Sequence, residues 1–289
     1  MASRSWEVVG SVDDLTPIIT NISPSVTPLF SKFSRVQVKN TTHGALTDTL
    51  PQAQIPSIME GADFTTVAAT ARGRLDNYTQ IFDRGYWVTD TDEAVMKRGL
   101  TSEIEYQMGI AMKAIALDVE LAIVTAATAV KQDAANVGKM GGLPYFNTVN
   151  VKNLASSPLT ESAFNDAIQL AWNKGGVTEM AVVSGKNKRT ISGFTAGAQK
   201  TRDQKEKKAI NVIDVYLSDF GEVSLMAHRQ QLDSRIDIIE SQYFRMGFLV
   251  PFHREDLPKK GHRVEKVISG QATLECRAKD AHSCITGIA

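Results

Sequence analysis

The chain has 289 residues, 43% apolar and 22% charged, enough for one large domain or two modest ones with a sizeable core. Lysine plus arginine equals aspartate plus glutamate at 32 each, so the formal charge is zero. That balance argues against a protein that reads nucleic-acid sequence, since such proteins are usually basic, and it leaves little self-repulsion to oppose association.

Residues 1–40 read as an extended arm. Thr16-Pro17, Ser23-Pro24 and Thr27-Pro28 interrupt any long element. Ile18, Ile19, Ile22, Leu29, Phe30 and Phe33 make the segment too apolar for a disordered tail, and a short helix is expected near Thr27–Phe33. The opening MASRSWEVVGSVDD lacks the apolar segment and cleavage site of a secretory signal. No apolar stretch approaches the ~18–20 residues that cross a bilayer.

His43–Leu50 and Asp76–Thr89 read as strands. Between them lie roughly 25 residues with Pro51, Pro56 and Gly61 and no regular element, whereas loops past ~12–15 residues are uncommon inside compact domains. A two-stranded ribbon with so long a tip is marginal alone in water, so something outside it must hold it. The stretch TARGRLDNYTQIFDRGYWVT carries Arg72, Arg74, Arg84, Tyr78, Phe82 and Trp87. Its arginines balance Asp76, Asp83, Asp90 and Asp92, a pattern that suits pairing between identical subunits. An ordinary edge strand guarded by charge reads the same way.

Thr101–Lys131 is the plainest helix, with Thr101 as cap and Glu103 and Glu105 at the positive end of the dipole. Ile104, Met108, Ala111, Met112, Ile115, Val119, Ala122 and Ile123 form a broad apolar face. Tyr106, Ile110, Leu117, Leu121 and Val124 form a narrower one, with Lys113 and Glu120 between the faces on one side and Gln107 and Asp118 on the other. A helix apolar on two sides is sandwiched, and at ~1.5 Å per residue this one spans ~45 Å as a strut.

After a glycine-rich link the pattern becomes α/β. Thr160–Lys174 is a helix, Thr178–Gly185 a buried strand, KNKRTISGF the start of another helix, and INVIDVYLSDFGEVSLMAHRQ two strands around Asp219-Phe220-Gly221. DSRIDIIE, QYFRMGFLVPF, RVEKVI and QATLECRA then read as strands, the last two joined by a hairpin turn at Ser269-Gly270.

No constellation of catalytic or ligating residues emerges. His43, His228, His253, His262 and His282 have no ligand partner at helical spacing, and structural or surface roles are expected. SGKNKRT lacks the glycine spacing of a phosphate loop. Cys276 and Cys284 are too few for a disulfide framework or a zinc site and read as small buried hydrophobes. Asn40-Thr41-Thr42 and Asn77-Tyr78-Thr79 match the glycosylation sequon by chance. Lys186–Lys208 is rich in cations, including Lys200, Arg202, Lys205, Lys207 and Lys208. It reads as a solvated loop, a charged subunit contact or a non-specific touch on nucleic acid.

NISPSVTPLFSKF, NYTQIF, SEIEYQMGIAMKAIALDVE, DVYLSDFGEVSLMAHR and ATLECRAKDAHSCITGI occur in that order along the chain. They resemble the major capsid proteins of tailed bacteriophages, the Hong Kong 97-type shell fold, and within it the family related to phage SU-ten. The resemblance implies an α+β fold with an N-arm (1–42), an extended E-loop ribbon (43–90), a P-domain with its spine helix (91–150), an α/β A-domain (151–240) and returning strands that complete the P-domain (241–289). It implies a structural, non-enzymatic protein of the virion without cofactor or metal, assembled in the host bacterial cytoplasm. Pentamers and hexamers would form an icosahedral shell around double-stranded DNA contacted non-specifically. Portal, scaffolding and decoration proteins are implied partners, with no membrane, and no scaffolding segment is expected ahead of the arm. The shell of a cellular nanocompartment is the alternative, and an enzyme with an unrecognised site is a more remote one. Expected subunit-interface residues are Arg72, Arg74, Tyr78, Phe82, Arg84 and Trp87. The Lys200–Lys208 cations would face the capsomer centre or DNA. Some relatives bond an E-loop lysine to a neighbour's asparagine. No lysine lies between Lys39 and Lys97 here, so no such crosslink is expected.

Overall fold

A computed structural model describes residues 27–48, 53, 55, 58–63, 72–95, 102–194 and 215–289. In chain order the elements are α1 (Pro28–Lys32), β1 (Ser34–Gln37), β2 (Thr42–Thr47), β3 (Gly73–Tyr78), β4 (Gln80–Thr89), α2 (Asp90–Ala94) and α3 (Glu103–Thr125). There follow α4 (Leu143–Phe146), β5 (Val151–Ser157), α5 (Glu161–Trp172), β6 (Met180–Val183), α6 (Gly185–Ser192), β7 (Val215–Ser218) and β8 (Gly221–Ala227). The last are β9 (Arg235–Ile239), β10 (Phe244–Asp256), β11 (Arg263–Cys276) and β12 (Ser283–Ile288). The strands form a four-stranded sheet ordered β1-β10-β11-β4, a six-stranded sheet ordered β5-β12-β9-β6-β8-β7, and the ribbon β2-β3.

The described residues fall into two compact units. One holds residues 83–117 and 253–269; the other holds 27–82, 118–252 and 270–289. In the first, the β10–β11 hairpin is closed by Leu257 N–H donating to Glu265 O at 3.1 Å. Asp90 N–H donates to His262 O, and Lys259 pairs with Asp90 at 2.7 Å. The start of α3 is capped from α2: the Glu93 carboxylate accepts from the N–H groups of Glu103 and Ile104 at 3.0 and 3.1 Å and from Ser102 Oγ at 2.7 Å. A carboxylate at the positive end of a helix meets otherwise orphaned donors. The expected cap, Thr101, lies outside the described residues.

The second unit contains the six-stranded sheet. Helix α5 packs Phe164, Ala167 and Ile168 against Tyr216, Val223, Leu225, Ile236, Ile238 and Ile285, all buried. Its N-cap is Thr160, whose hydroxyl accepts from Ala163 N–H at 3.3 Å, as the sequence leads one to expect. Phe164 and Tyr216 meet edge to face at 5.2 Å. Burial pushes the Tyr216 phenol up to about 12.

Leu29, Phe33, Met140, Leu143, Phe146 and Phe244 are also buried; Phe33 stacks on Phe244 at 5.5 Å, and Phe146 meets Phe244 edge to face at 6.2 Å. The Glu120 carboxylate reaches α1. Its Oε1 accepts from Leu29 N–H at 2.9 Å, and its Oε2 accepts from Phe30 N–H at 2.8 Å. One carboxylate from α3 thus caps α1.

The sequence reading departs from the fold in several places. The helix stops at Thr125, short of Lys131, and Glu120 is wholly buried instead of lying at a polar boundary, because α1 supplies it with donors. The expected strand Asp76–Thr89 is two strands: Gly73–Tyr78 pairs with β2, whereas Gln80–Thr89 joins the four-stranded sheet. Ser269-Gly270 makes no turn, since β11 runs straight through it. Glycine is needed there for close approach: a Cβ on Gly270 would sit 2.4 Å from the Phe252 ring. Strands β1, β5 and β12 were not expected. The paired strands around Asp219-Phe220-Gly221 are present as read.

Candidate assembly surfaces

The β2-β3 ribbon is a sheet of its own beside the four- and six-stranded ones. Its base is fixed by two residues directly opposite each other, His43 and Asn77. Asn77 is buried. Its Nδ2 donates to Gly141 O at 2.9 Å and Leu274 O at 2.7 Å, while Oδ1 accepts from Gly141 N–H at 2.7 Å and Tyr78 N–H at 2.9 Å. Both donors and both lone pairs are used. An amide held this way is closed to a glycan, in keeping with the chance sequon match.

His43 Nε2 lies 2.9 Å from Glu275 Oε2, and Arg277 Nε donates to Glu275 Oε1 at 2.9 Å. Burial alone would raise the Glu275 carboxyl; the bonds from His43 and Arg277 outweigh it and hold the group below the usual carboxylate range. Thr273 Oγ donates to Tyr78 O at 2.9 Å and Gln271 Nε2 to Thr79 Oγ at 2.7 Å. Beyond this base Leu46 is 71% exposed, and Ile55, Ile58 and Met59 are 100%, 72% and 83% exposed. Nothing in the sequence singled out Ile55, Ile58 and Met59, since they lie in a proline-containing stretch without periodicity.

The interface residues expected from the sequence lie on β3 and β4, with Arg72 just ahead of β3. Arg72 pairs with Asp48 at 3.8 Å, and Arg74 pairs with Asp76 on its own strand. Part of the expected charge complementarity is therefore met within the chain. Tyr78 is half-buried and Arg84 exposed. Phe82 is buried in its own chain, because alternation on β4 turns it inward with Val88. Trp87 is 58% exposed, and the Arg263 guanidinium lies 5.4 Å from its ring centre. Lys200, Arg202, Lys205, Lys207 and Lys208 lie outside the described residues.

The long helix supplies further surface. Ile115, Val119 and Ile123 are buried, while Ile110, Met112 and Leu121 are exposed. Elsewhere, exposed Trp172 packs against Phe220 with ring centres 5.4 Å apart. Among the described residues no cluster of three or more His, Cys, Asp or Glu side chains suits a metal. Burial pushes the thiols of Cys276 and Cys284 up to about 12 and 11, so both are poor nucleophiles. No described helix is long and apolar enough to cross a membrane.

Comparison with known structures gives the fold. The chain is similar to the cyanophage A-1(L) capsid protein, with a TM-score of 0.73 at 9% identity over 99% of this chain and 98% of that one. It is similar to the capsid protein of the native GTA particle, with a TM-score of 0.70 at 11% identity over 97% and 96%. A structure of phage G major capsid and decoration proteins matches with a TM-score of 0.56 at 10% identity over 100% and 98%. No curated protein matches in sequence. The family model described as SU10 major capsid protein matches residues 4–289. That span takes in nearly the whole chain and agrees with the capsid fold: the chain belongs to the SU10 major capsid protein family and is a structural shell protein of a tailed phage.

Proposed function

We propose that copies of this chain close into an icosahedral shell of pentamers and hexamers around double-stranded DNA, contacted without sequence preference. The observation that carries this is the apolar surface left bare on one copy: Leu46, Ile55, Ile58 and Met59 on and beside the ribbon, with Trp87, Ile110 and Met112. Covering such surface releases roughly 25 cal/mol per Å², less the cost of fixing subunits in place. Obligate contacts of about 2,000–5,000 Å² belong to this class. In this reading residues 1–42 are the N-arm, 43–90 the E-loop, 91–150 the P-domain with its spine helix, 151–240 the A-domain and 241–289 the return to the P-domain.

Arg72, Arg74, Tyr78, Arg84 and Trp87 are the proposed contact residues, of types that often dominate interfaces. Phe82 supports their strand from behind. The Lys200–Lys208 cations would lie at a capsomer centre or against DNA. Assembly in the host bacterial cytoplasm, a portal and a scaffolding protein complete the reading, and decoration proteins are supported by their presence in the phage G structure. No enzymatic step is assigned. Electron microscopy of the purified protein, with nuclease digestion, tests it. Closed particles protecting DNA from nuclease are expected; monomers that persist at high concentration with scaffolding protein supplied would overturn it.

A further inference from the structure

A groove of about 550 Å³ opens between α1 and β10, lined by Phe30, Arg35, Val36, Phe248, Pro251 and Phe252. Its walls are aromatic: Phe30 and Phe248 meet edge to face at 6.3 Å, as do Phe248 and Phe252 at 6.0 Å. The Arg35 guanidinium stands over Phe30 and Phe248 at 5.6 and 6.0 Å, and no carboxylate pairs with it among the described residues. Lys39, two residues beyond β1, is exposed as well. The rim is β1, the outermost strand of its sheet, so no further strand of that sheet covers it. The groove is an aromatic slot with cations at its mouth.

A surface of complementary character lies at one margin of the six-stranded sheet, where β7 is the outermost strand. Helix α5 buries Phe164, Ala167, Ile168 and Ala171 but leaves its last residue, Trp172, 53% exposed. The Trp172 ring lies 5.4 Å from that of Phe220, in the turn between β7 and β8. Asp219 and Glu222, on either side of that turn, are exposed, and neither has an ionic partner among the described residues. Two rings thus stand together beside two carboxylates. Neither ring lines the groove of its own chain.

We propose that this groove receives the Trp172 and Phe220 rings of a second copy of the chain, with Asp219 and Glu222 meeting Arg35 and Lys39. The inference rests on the shell reading above and names one contact between neighbouring subunits. Rings entering an aromatic slot can meet its walls edge to face, as the wall rings already meet each other. Arg35 can stand over an indole as it stands over Phe30. Tryptophan is among the residue types that most often anchor an interface. A knob and a slot at separate places on one molecule make a head-to-tail contact, which closes into a ring when the rotation allows. Apolar burial drives it, and the charge pairs set orientation more than affinity.

The test places one cysteine on each side: Gln37→Cys at the groove rim and Asn173→Cys beside Trp172, both at exposed positions. Assembled particles are treated with a short bis-maleimide, and the buried Cys276 and Cys284 stay unreacted. A ladder of covalent multimers in the double variant, absent from either single variant, is expected. Particles without a ladder, or with a crosslink confined to single chains, overturn the proposal and leave the shell reading intact. Failure of the unaltered protein to form particles sinks the shell reading and this contact with it. In a second arm, Arg35→Glu or Asp219→Arg raises the protein concentration needed for assembly several-fold, and the two together restore it. Additive losses in the double variant count against the contact.

Discussion

His228 Nε2 lies 2.9 Å from Glu120 Oε1, and both side chains are almost wholly buried. The other imidazole nitrogen, Nδ1, accepts from Gln230 N–H at 3.2 Å, so the proton of a neutral ring sits on Nε2 and is donated to the carboxylate. Glu120 thus receives three donors: the ring and two backbone N–H groups of α1. Glu120→Ala removes the acceptor and strands all of them. A loss of about 3–5 kcal/mol is expected, the scale of breaking a buried charged network, read as a lower urea midpoint. Glu120→Gln, which keeps one acceptor oxygen, loses less. Equal losses would show that the carboxylate's charge and second oxygen do not matter.

His282 makes stability depend on pH. It is fully buried, stacked on Phe244 with ring centres 4.5 Å apart, and its Nδ1 accepts from Glu240 N–H. Burial lowers its pKa from 6.5 to about 4. Between those values the unfolded chain holds a proton that the folded chain rejects, so stability falls as pH drops through that window and is complete above it. The full loss is about 3 kcal/mol. Denaturant midpoints compared at pH 7 and pH 4.5 should show it, and His282→Asn should flatten that part of the slope. The depressed Glu275 carboxyl adds acid sensitivity at lower pH.

Ala155 and Ser156 sit at φ 48° and 65°, in the left-handed region that costs a side chain about 1–2 kcal/mol. They are the extra residues of a bulge where β5 passes β12. Ser156→Gly is expected to stabilise the chain by about 1 kcal/mol, measured by thermal unfolding at fixed protein concentration. A lower melting temperature would mean that the side chain holds the bulge.

Trp87→Ala separates folding from assembly. The ring is largely exposed and touched by Arg263, so its loss costs the single chain less than about 1 kcal/mol. At an interface such a ring is worth on the order of 2 kcal/mol. Far-ultraviolet circular dichroism should stay unchanged while the concentration needed for particles rises. Assembly at the original concentration would remove Trp87 from the contact.

Lysine is absent between Lys39 and Lys97, so the ribbon has no amine with which to form an amide to a neighbour. Particles boiled in detergent should run as one band at monomer mass. A covalent ladder would show a crosslink from elsewhere in the chain.

Wherever one residue type dictated a local outcome, the sequence could be read. Thr160 caps α5 because its hydroxyl accepts from Ala163, and Cys276 is the small buried side chain it reads as. The order of segments carried the capsid resemblance. Long-range partners were hidden. Glu120 reads as a polar residue on a helix until α1 and His228, distant in sequence, are brought to it. The break at Thr79 was invisible because β3 and β4 together keep a β-type pattern, and only pairing with different sheets divides them. Phe82 and Trp87 are both aromatic in one strand, and residue type alone does not say which faces inward.

The kinked rim at Ala155 and Ser156 interrupts β5, the strand at one margin of the six-stranded sheet. A straight, regular margin is a ready template on which another backbone can extend the sheet, the geometry of a fibre. A bulged margin is a poor one, so this border disfavours open-ended strand-on-strand growth.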